Sequence, residues 1–304
     1  MRNSDVLIIG AGAAGLSAGL YAARSGMNVI IIDEIGGGGQ ILQIDNLENY
    51  PGVFPAIKGG DYIETLLNQT RHFGAEIIQA TVSSIDKKNN MFFVKAGNNE
   101  FLVSSLIVAT GAEHSKLGIP GEKELSGAGV SYCAVCDGPF FKNKRVAVIG
   151  GGDSACTEAL YLAGIASHVD IIHRRNDFRA TKAIAERVFN NDKINVHFNS
   201  VAKKISGSSF VENLEIENSA TGEISILPES AVFILIGMAP RTALLETLPK
   251  DKAGYFITDE KMATVVPGLF IAGDVRSKPL RQIVTAASDG AIAGHSAAEY
   301  VKGL

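Results

Sequence analysis

The chain has 304 residues, which is long enough for two domains of ordinary size. Hydrophobic residues make up 46% and charged residues 20%, a composition that excludes an intrinsically disordered protein. With 28 Lys and Arg against 32 Asp and Glu, the formal net charge of −4 offers no broad basic surface for nucleic acid or anionic membranes.

The hydropathy of the first predicted element fits two interpretations, a transmembrane helix or a buried strand followed by a helix. Residues 6–23 carry no charge, and this stretch is about as long as a transmembrane helix. Residues 6–9 are nevertheless typical of a buried strand and residues 16–25 of a helix, with a glycine-rich turn between them. Too few basic residues precede the apolar run for a signal peptide. We therefore predict a strand–turn–helix unit, no membrane span and a cytoplasmic location.

The turn has the spacing Gly-x-Gly-x-x-Gly, formed by Gly10, Gly12 and Gly15. In dinucleotide-binding βαβ units the first glycine permits a tight bend and the second lets the backbone approach a pyrophosphate. The third lets helix and strand pack closely, and the N–H groups of the helix start then face the phosphates. One such turn is weak evidence, because glycine-rich turns also serve packing alone.

An acidic pair, Asp33 and Glu34, ends the next predicted strand, residues 28–33. A carboxylate at this position accepts a hydrogen bond from a ribose hydroxyl and repels a 2′-phosphate. The first unit is therefore predicted to bind FAD or NAD.

A possible redox centre follows, in which Cys133 and Cys136 are separated by two residues and succeeded by Asp137. Such a pair forms a small disulfide whose thiols exchange with a partner disulfide. Half of a zinc site is the alternative, although the sequence has no second C-x-x-C. Asp137 either exchanges a proton with a thiolate or caps a turn before Gly138. The third cysteine, Cys156, is predicted to be a small buried side chain.

The first pattern repeats further along the chain, with Gly150 and Gly152 followed by Ala155, which the third position tolerates. The predicted helix, residues 155–163, again leads to an apolar strand, residues 168–173. Two copies in the same strand–turn–helix context predict two nucleotide-binding units with parallel sheets.

The second copy differs from the first in the charge that follows its second strand. His173, Arg174 and Arg175 stand there, and Arg179 comes four residues later. Guanidinium groups at this point favour a 2′-phosphate and hence NADP over NAD. The alternative is a solvated basic turn that caps a helix.

Taken together, these motifs resemble those of the low-molecular-weight thioredoxin reductases, class II of the pyridine nucleotide-disulfide oxidoreductases. The resemblance runs essentially end to end. The further blocks that carry it are Asn49-Tyr50-Pro51-Gly52, Ala109-Thr110-Gly111, Gly151-Gly152-Asp153-Ser154-Ala155, Gly273-Asp274-Val275, Arg281-Gln282 and Ala286-Ala287-Ser288-Asp289-Gly290. Two departures are Val135, where the family usually has Thr, and an unusually long glycine run, residues 36–39, before Gln40.

The resemblance implies an α/β fold with two Rossmann-like dinucleotide-binding domains of the three-layer ββα type. Residues 1–114 and 243–304 are expected to form the FAD domain, and residues 115–242 an inserted NADPH domain that carries the C-x-x-C. Glycine and proline punctuate both seams, at residues 117–121 and 237–241. A homodimer and a rotation of one domain against the other are also implied.

The same resemblance implies the site residues. The expected FAD contacts are Gly10, Gly12, Ala13, Ala14, Gly15, Asp33, Glu34, Gly39, Gln40, Asn49, Val82, Thr110, Gly111, Gly273, Asp274, Arg281, Gln282 and Ile283. The expected NADPH contacts are Gly150, Gly152, Asp153, Ser154, Ala155, His173, Arg174, Arg175, Arg179, Ile236 and Gly237. No metal site is expected.

The activity implied is a relay in which NADPH reduces FAD, the flavin reduces the Cys133–Cys136 disulfide, and the dithiol reduces oxidised thioredoxin. Cys136 is expected to face the flavin, Cys133 to attack the partner, and Asp137 to handle the proton. The alternatives are a reductase of another dithiol protein, such as a peroxiredoxin or a glutaredoxin-like partner, a ferredoxin- or flavodoxin-linked flavoprotein, and a non-catalytic nucleotide sensor.

Overall fold

The computed structural model describes residues 1–44, 47 and 49–304, and for Gln43 and Cys136 it describes the backbone alone. The chain divides into two units. Met1–Glu113 and Ala239–Leu304 form the first unit, and His114–Met238 form the second. The assignment of one cofactor to each unit stays a prediction.

Some strands of each unit alternate with helices, and others follow one another directly. The strands are β1 (Arg2–Ile9), β2 (Val29–Asp33), β3 (Glu76–Gln79), β4 (Val82–Lys88), β5 (Met91–Ala96), β6 (Asn99–Val108), β7 (Ala112–His114), β8 (Val130–Ser131), β9 (Arg145–Ile149), β10 (His168–Ile172), β11 (Ile194–His197), β12 (Ser200–Ser206), β13 (Asn213–Asn218), β14 (Ile224–Pro228), β15 (Ala231–Ile234), β16 (Met238–Pro240) and β17 (Leu269–Ile271).

The α-helices are α1 (Ala13–Arg24), α2 (Gly59–His72), α3 (Ala134–Asp137), α4 (Asp153–Ala163), α5 (Lys182–Phe189) and α6 (Ile283–Lys302). Short 3₁₀-helices span Gly39–Gln43, Gly138–Phe141, Ala243–Leu245 and Gly273–Val275. The uncharged stretch 6–23 is divided between β1 and α1. Within the described ranges, no helix combines the length and the apolar character needed to cross a bilayer.

The first unit has three layers because its parallel strands are covered on both faces. The parallel order is β3-β2-β1-β6 with β17 beside β6, and the first half of β6 also pairs antiparallel with β5, which pairs with β4. Along β1, Val6 and Ile8 pack on the helical side, and Leu7 and Ile9 pack on the side of the antiparallel strands. This alternation explains why residues 6–9 are apolar without interruption.

Helices α1 and α6 approach each other closely through glycine. A Cβ built on Gly290 would lie 2.0 Å from the carbonyl oxygen of Ala14, and one built on Gly294 would lie 2.2 Å from that of Ala18. Any side chain at Gly290 or Gly294 would force the helices apart. The glycines of α6 and the alanines of α1 at this contact therefore determine the short distance between the two helices.

The second unit repeats this architecture. Its parallel order is β11-β10-β9-β15-β8, and β12, β13 and β14 form an antiparallel sheet. Along β9, Val146 and Val148 pack with α4, whereas Ala147 and Ile149 pack on the side of the antiparallel sheet. The internal repeat is therefore a repeated three-layer unit, and the predicted α/β fold with two Rossmann-like domains is confirmed. Strands β7 and β16 form a separate two-stranded sheet.

A group of ionisable side chains surrounds Asp170 in the sheet of the second unit, and of these Asp170 and Glu229 are buried, each 1% exposed. Arg145 Nη2 lies 2.6 Å from Asp170 Oδ2, and His197 Nε2 lies 2.7 Å from Asp170 Oδ1. Burial opposes the ionisation of Asp170, but hydrogen bonds from His197 and Asn195 hold its pKa well below the usual range. Burial, followed by the neighbouring Asp170 carboxylate, raises the pKa of Glu229 to about 9.

Glu229 should make the stability of the protein depend on pH. Because its folded-state pKa lies above the ordinary value of 4.5, its contribution to stability is complete below that value and is lost as the pH rises through about 9. We expect Glu229→Gln to flatten the fall in the free energy of unfolding across this window, by at most about 1.4 kcal/mol per pH unit.

Urea unfolding followed by circular dichroism at each pH measures this slope. Glu223→Gln, which changes an exposed carboxylate of the same unit, is the matched control and should keep the wild-type slope. Equal slopes for the wild type and Glu229→Gln would show that Glu229 does not hold its proton in the folded chain.

Candidate functional site

The predicted FAD residues of four distant segments meet at the carboxyl edge of the first parallel sheet. Gly10 follows β1, Asp33 ends β2, Thr110 comes shortly after β6, and Gly273 comes shortly after β17. In open α/β sheets ligands bind outside the carboxyl ends of the strands. The topology therefore brings these residues to the edge where a dinucleotide is expected.

The first glycine turn, Gly10–Gly15, has the shape that a pyrophosphate requires. Gly10 has φ +102°, and a Cβ on it would lie 2.4 Å from the carbonyl oxygen of Ala109. A Cβ on Gly15 would lie 1.7 Å from the carbonyl oxygen of Gly10, whereas one on Gly12 would meet no described atom within 4 Å. The first and third glycines thus serve packing, and the second faces open space through which a phosphate reaches the backbone.

The start of α1 is also suited to an anion. Gly12 is the N-cap, and among the described residues no side chain caps the helix and no acidic residue occupies its first turn. The N–H groups of the first turn are consequently left for a ligand, and the helix dipole favours a negative one.

Asp33 connects two loops of this edge. Its Oδ2 accepts the N–H of Ala11 at 2.8 Å, and its Oδ1 accepts the N–H groups of Ile35 and Gly37 at 3.0 Å each. A carboxylate has about four acceptor positions, so room for a ribose hydroxyl remains. This bracing role was not foreseen from the sequence.

The long glycine run ahead of Gln40 has a conformational reason. All four residues 36–39 have positive φ, between +57° and +130°, which side chains rarely adopt. The N–H of Gly38 donates to the carbonyl oxygen of Ala11 at 2.8 Å, so the run folds back onto the first glycine turn. The departure from the family pattern therefore forms part of the edge.

Three amide or hydroxyl side chains tie the remaining loops together. Gln40 Nε2 donates to the carbonyl oxygen of Ala112, and Thr110 Oγ1 donates to that of Arg241 at 2.8 Å. Asn49 Nδ2 donates to Gln282 Oε1 at 3.1 Å. The first two bonds connect the loops after β2 and β6 with Ala112 and Arg241, and the third connects Asn49 with the start of α6. That Gln40, Asn49, Thr110 and Gln282 share a ligand stays a prediction.

Other predicted contacts of this unit are placed less directly. Val82 is the first residue of β4 and is buried. It lies two residues after Ala80, and the N–H of Ala80 donates to the carbonyl oxygen of Asp33 at 3.0 Å. Glu34 is exposed, with its carboxylate 4.0 Å from Arg241 Nη1. Gly111 has φ +71° and accepts the N–H of Arg241 at 3.1 Å.

Asp274 and Arg281 each hold a buried polar atom that makes no hydrogen bond with the described residues. Asp274 Oδ1 lies 3.1 Å from the ammonium of Lys278, an ion pair rather than a hydrogen bond of good geometry. The guanidinium carbon of Arg281 lies 3.7 Å from the centre of the Tyr255 ring, and its buried Nε has no acceptor among the described residues. Orphaned atoms of this kind fit a polar ligand such as the ribityl and ring of a flavin.

Lys278 is a functional candidate that sequence reasoning missed. Its side chain is 4% exposed and lies 3.1 Å from Asp274 and 3.2 Å from Asp289, while Asp289 also accepts the N–H of Gly273. The only feature of the sequence that could have identified Lys278 is its position four residues after Asp274. Outside a helix this spacing does not predict that two side chains meet. Arg281 and Gln282 directly precede α6, whose first residue is Ile283 and whose N-cap is Gln282.

The second glycine turn, Gly150–Ala155, repeats the first. Gly150 has φ +152°, and a Cβ on it would lie 2.4 Å from the carbonyl oxygen of Leu235, whereas a Cβ on Gly152 would meet no described atom within 4 Å. Gly152 is the N-cap of α4, and no described side chain caps it. Asp153 Oδ1 accepts the N–H of Thr181 at 2.8 Å, and Ser154 is exposed. The turn therefore again leaves room for a pyrophosphate.

The basic residues that follow β10 divide into one buried ring and three exposed arginines. His173 packs against Gly151, and its Nε2 lies 3.0 Å from the carbonyl oxygen of Asp177. Burial, aided by the positive charges of the arginines, lowers the pKa of His173, so the ring is neutral near pH 7. The arginines form no ion pair with the described residues, and all three are exposed: Arg174, Arg175 and Arg179.

One backbone hydrogen bond places Arg179 beside the turn, and the remaining predicted contacts, Ile236 and Gly237, follow β15. The N–H of Arg179 donates to the carbonyl oxygen of Gly151 at 2.7 Å. Ile236 is 40% exposed after β15, and Gly237 has φ +111° and accepts the N–H of Ser115 at 2.9 Å. Exposed guanidinium groups next to a turn of this shape are what the predicted 2′-phosphate of NADPH needs.

The redox segment, Cys133–Asp137, consists of Cys133 and helix α3. Cys133 is disulfide-bonded, and a disulfide sulfur is not a zinc thiolate. The side chain of Cys136 lies outside the described residues. Asp137 stands in the N-cap position of the 3₁₀-helix Gly138–Phe141 without a capping hydrogen bond among the described residues, so capping does not account for its carboxylate.

Helix α4 lies beneath this segment. The N–H of Ala134 donates to Glu158 Oε2 at 2.8 Å, a contact that sequence reasoning missed. Cys156 is fully buried, and burial, with the negative charge of Asp153, raises its pKa to about 11. The prediction that Cys156 is a small buried side chain is confirmed.

Comparison with known proteins gives consistent similarities. The chain matches the pyridine nucleotide-disulphide oxidoreductase family over residues 4–290. Thioredoxin reductase of Treponema pallidum is 49% identical over 99% of this chain and 98% of that protein, and thioredoxin reductase of Listeria innocua is 44% identical over 99% and 94%. The crystal structure of Lactococcus lactis thioredoxin reductase is 41% identical with a TM-score of 0.85, covering 99% of this chain and 100% of that one. The similarity therefore extends over both units.

Lys278 should support dinucleotide binding at the first turn. Lys278→Met keeps the length of the side chain but removes the charge that pairs with Asp274, so we expect the predicted FAD to bind about tenfold more weakly or worse. The ratio of flavin to protein absorbance after gel filtration, and the Kd for FAD on reconstitution, measure this.

Lys302→Met is the matched control, because Lys302 lies on α6 with an exposed side chain and pairs with Glu299 at 3.3 Å. Equal flavin retention by the two variants, with unchanged circular dichroism, would contradict the role given to Lys278.

Proposed function

The chain belongs to the pyridine nucleotide-disulphide oxidoreductase family. We propose that it reduces oxidised thioredoxin with NADPH. It is an NADPH-dependent flavoprotein oxidoreductase that uses FAD and NADPH. The observation that carries the proposal is the disulfide at Cys133, in the same unit as the second glycine turn. A flavoprotein that passes electrons to ferredoxin or flavodoxin has no need of such a disulfide.

Bound FAD supplies the two-electron step that connects the nicotinamide to the disulfide. Two electrons and two protons convert the disulfide of Cys133 and Cys136 into two thiols. The Cys133 thiolate then attacks the thioredoxin disulfide, which forms a mixed disulfide and releases one thiolate of the partner. The Cys136 thiolate attacks the mixed disulfide in turn, so the internal disulfide re-forms and reduced thioredoxin leaves.

Asp137 exchanges the protons of this cycle. It is the last residue of α3, one position after Cys136, and its N–H donates to the carbonyl oxygen of Cys133 at 3.2 Å. Its carboxylate makes no capping bond among the described residues, which leaves it available to take a proton from one thiol and return it to a leaving thiolate.

The surroundings of the disulfide suit a protein substrate. Val135, inside the redox segment, is 51% exposed, and Phe140, shortly after it, is 75% exposed. Exposed apolar side chains beside a reactive group favour an interface with another protein over a small hydrophilic disulfide. This supports thioredoxin, whose disulfide must come within bonding distance of Cys133.

The protein is further proposed to act in the cytoplasm as a homodimer. A thiol-reducing enzyme with a free buried cysteine, Cys156, belongs in a reducing compartment. The homodimer follows from the family resemblance. Light scattering on the purified holoenzyme should return twice the mass of one chain, and the mass of a single chain would contradict the dimer.

The relay itself is tested by an anaerobic NADPH titration of the purified flavoprotein. We expect roughly four electrons per chain, two for the flavin and two for the disulfide. Cys136→Ser should take up roughly two, because it cannot form the disulfide, while Cys156→Ala should keep the wild-type uptake. Uptake of two electrons by the wild type would mean that the cysteines are not a redox couple with the flavin.

The exposed arginines should determine the preference for NADPH. Replacing Arg175 and Arg179 together with Ala removes two charge-assisted donors, so we expect the KM for NADPH to rise about tenfold or more. The KM for NADH, which lacks the 2′-phosphate, should change by less than about twofold.

Steady-state kinetics with both nucleotides at constant thioredoxin measure this effect. Arg187→Ala, which removes an exposed arginine from α5, is the control and should leave both KM values unchanged. Parallel increases for NADPH and NADH would contradict recognition of a 2′-phosphate.

A further inference from the structure

Helix α4, which begins at the second glycine turn, also supports the redox segment. Ala134 is fully buried in the apolar cluster that contains Cys156 and Ala159 of α4. A Cβ on Gly138 would lie 2.9 Å from Leu162 Cδ2 and 3.4 Å from Tyr161 Cε1, so the turn after α3 also rests on α4. The backbone around the disulfide is therefore held by one helix on its apolar side.

The polar contact between the two elements comes from Glu158. Its Oε2 accepts the N–H of Ala134, the residue directly after Cys133, at 2.8 Å. The side chain is half-buried, and burial raises the pKa of Glu158, an effect that the bond from Ala134 opposes. A carboxylate thus accepts the N–H of Ala134, the first residue of α3.

The N–H of Ala134 also bears on the pKa of the cysteine thiols. Backbone N–H groups at a helix start stabilise a neighbouring thiolate and lower the pKa of its thiol. Because the N–H of Ala134 is bonded to Glu158, it is not available to a thiolate formed in this segment, and a carboxylate lies beside it instead. Because the reduced form is then less stable, the disulfide is harder to reduce and the dithiol is a stronger reductant.

We propose that Glu158 is a positioning residue that fixes the backbone after Cys133 and keeps the dithiol strongly reducing toward its protein substrate. This inference rests on the proposed function in taking Cys133 and Cys136 as the redox pair. It differs from a purely structural role, in which any hydrogen-bond acceptor at position 158 would serve equally well.

Two substitutions separate the charge from the hydrogen bond. Glu158→Gln keeps an acceptor for the N–H of Ala134 and removes the charge, whereas Glu158→Ala removes both. Glu186→Gln, on α5 of the same unit, removes an exposed carboxylate and is the control. All variants are studied as purified holoenzyme, with four-electron uptake of the wild type established first.

The first readout is the equilibrium between the enzyme disulfide and dithiothreitol, quantified by alkylation and mass spectrometry. In this exchange two enzyme thiols form as two dithiothreitol thiols become a cyclic disulfide. The second readout is the pH dependence of iodoacetamide alkylation of the reduced enzyme. For Glu158→Gln we expect the equilibrium to shift toward the dithiol by roughly three- to tenfold and alkylation to begin at lower pH.

Glu158→Ala should shift the equilibrium in the same direction and also slow the reduction of thioredoxin, since the backbone after Cys133 loses its tether. Glu186→Gln should match the wild type in both readouts. A Glu158→Gln enzyme that matches the wild type in both readouts would overturn the inference and leave Glu158 a purely structural residue. A wild-type uptake of only two electrons would instead refute the proposed function.

Discussion

The close contact of helix α1 with the turn that precedes it is the constraint on which the first site depends. Because Gly15 has no Cβ, the helix starts directly against the carbonyl oxygen of Gly10 and points its free N–H groups at the carboxyl edge of the sheet. Gly290 and Gly294 let α6 lie against the same helix. The loop after β17, with Asp274 and Lys278, is thereby brought to this edge.

The second unit has the same turn geometry although Ala155 replaces the third glycine and adds one methyl group. Two structurally equivalent turns can hold different dinucleotides because the residues at the end of the next strand differ. Beside the first turn lies the carboxylate of Asp33, which accepts three backbone N–H groups. Beside the second turn lie three exposed arginines that form no ion pair with the described residues. Electrostatics at one position per unit therefore underlies the proposed division between FAD and NADPH.

Helix α4 serves two parts of the proposed reaction at once. Its first residues belong to the second glycine turn, where a phosphate is predicted to bind, and its middle supports the redox segment through Ala159, Leu162 and the carboxylate of Glu158. A rigid element of this kind fixes reactive groups better than a loop does, because its backbone hydrogen bonds are already satisfied within the helix. The buried carboxyl groups of Asp170 and Glu229 take no part in the proposed reaction and are instead expected to make stability depend on pH.

Much of this protein is determined by local sequence. The apolar run before Gly10, the glycine spacing, the charge after each second strand and the Cys133–Cys136 pair are all short-range patterns, and they predicted two Rossmann-like units and the redox chemistry. Even the glycine run at residues 36–39 can be identified in the sequence, although its positive φ values appear only in the structure.

Contacts between distant segments were decided by the tertiary structure alone. The bond from Ala134 to Glu158 joins residues 24 apart, and the bond from Asn49 to Gln282 joins residues 233 apart. Lys278 acquires its role because β17 and α6 place Asp274 and Asp289 around its ammonium. Local patterns specify strands, turns and helices, whereas such partners depend on how those elements pack, and packing is set by the whole chain rather than by any one motif.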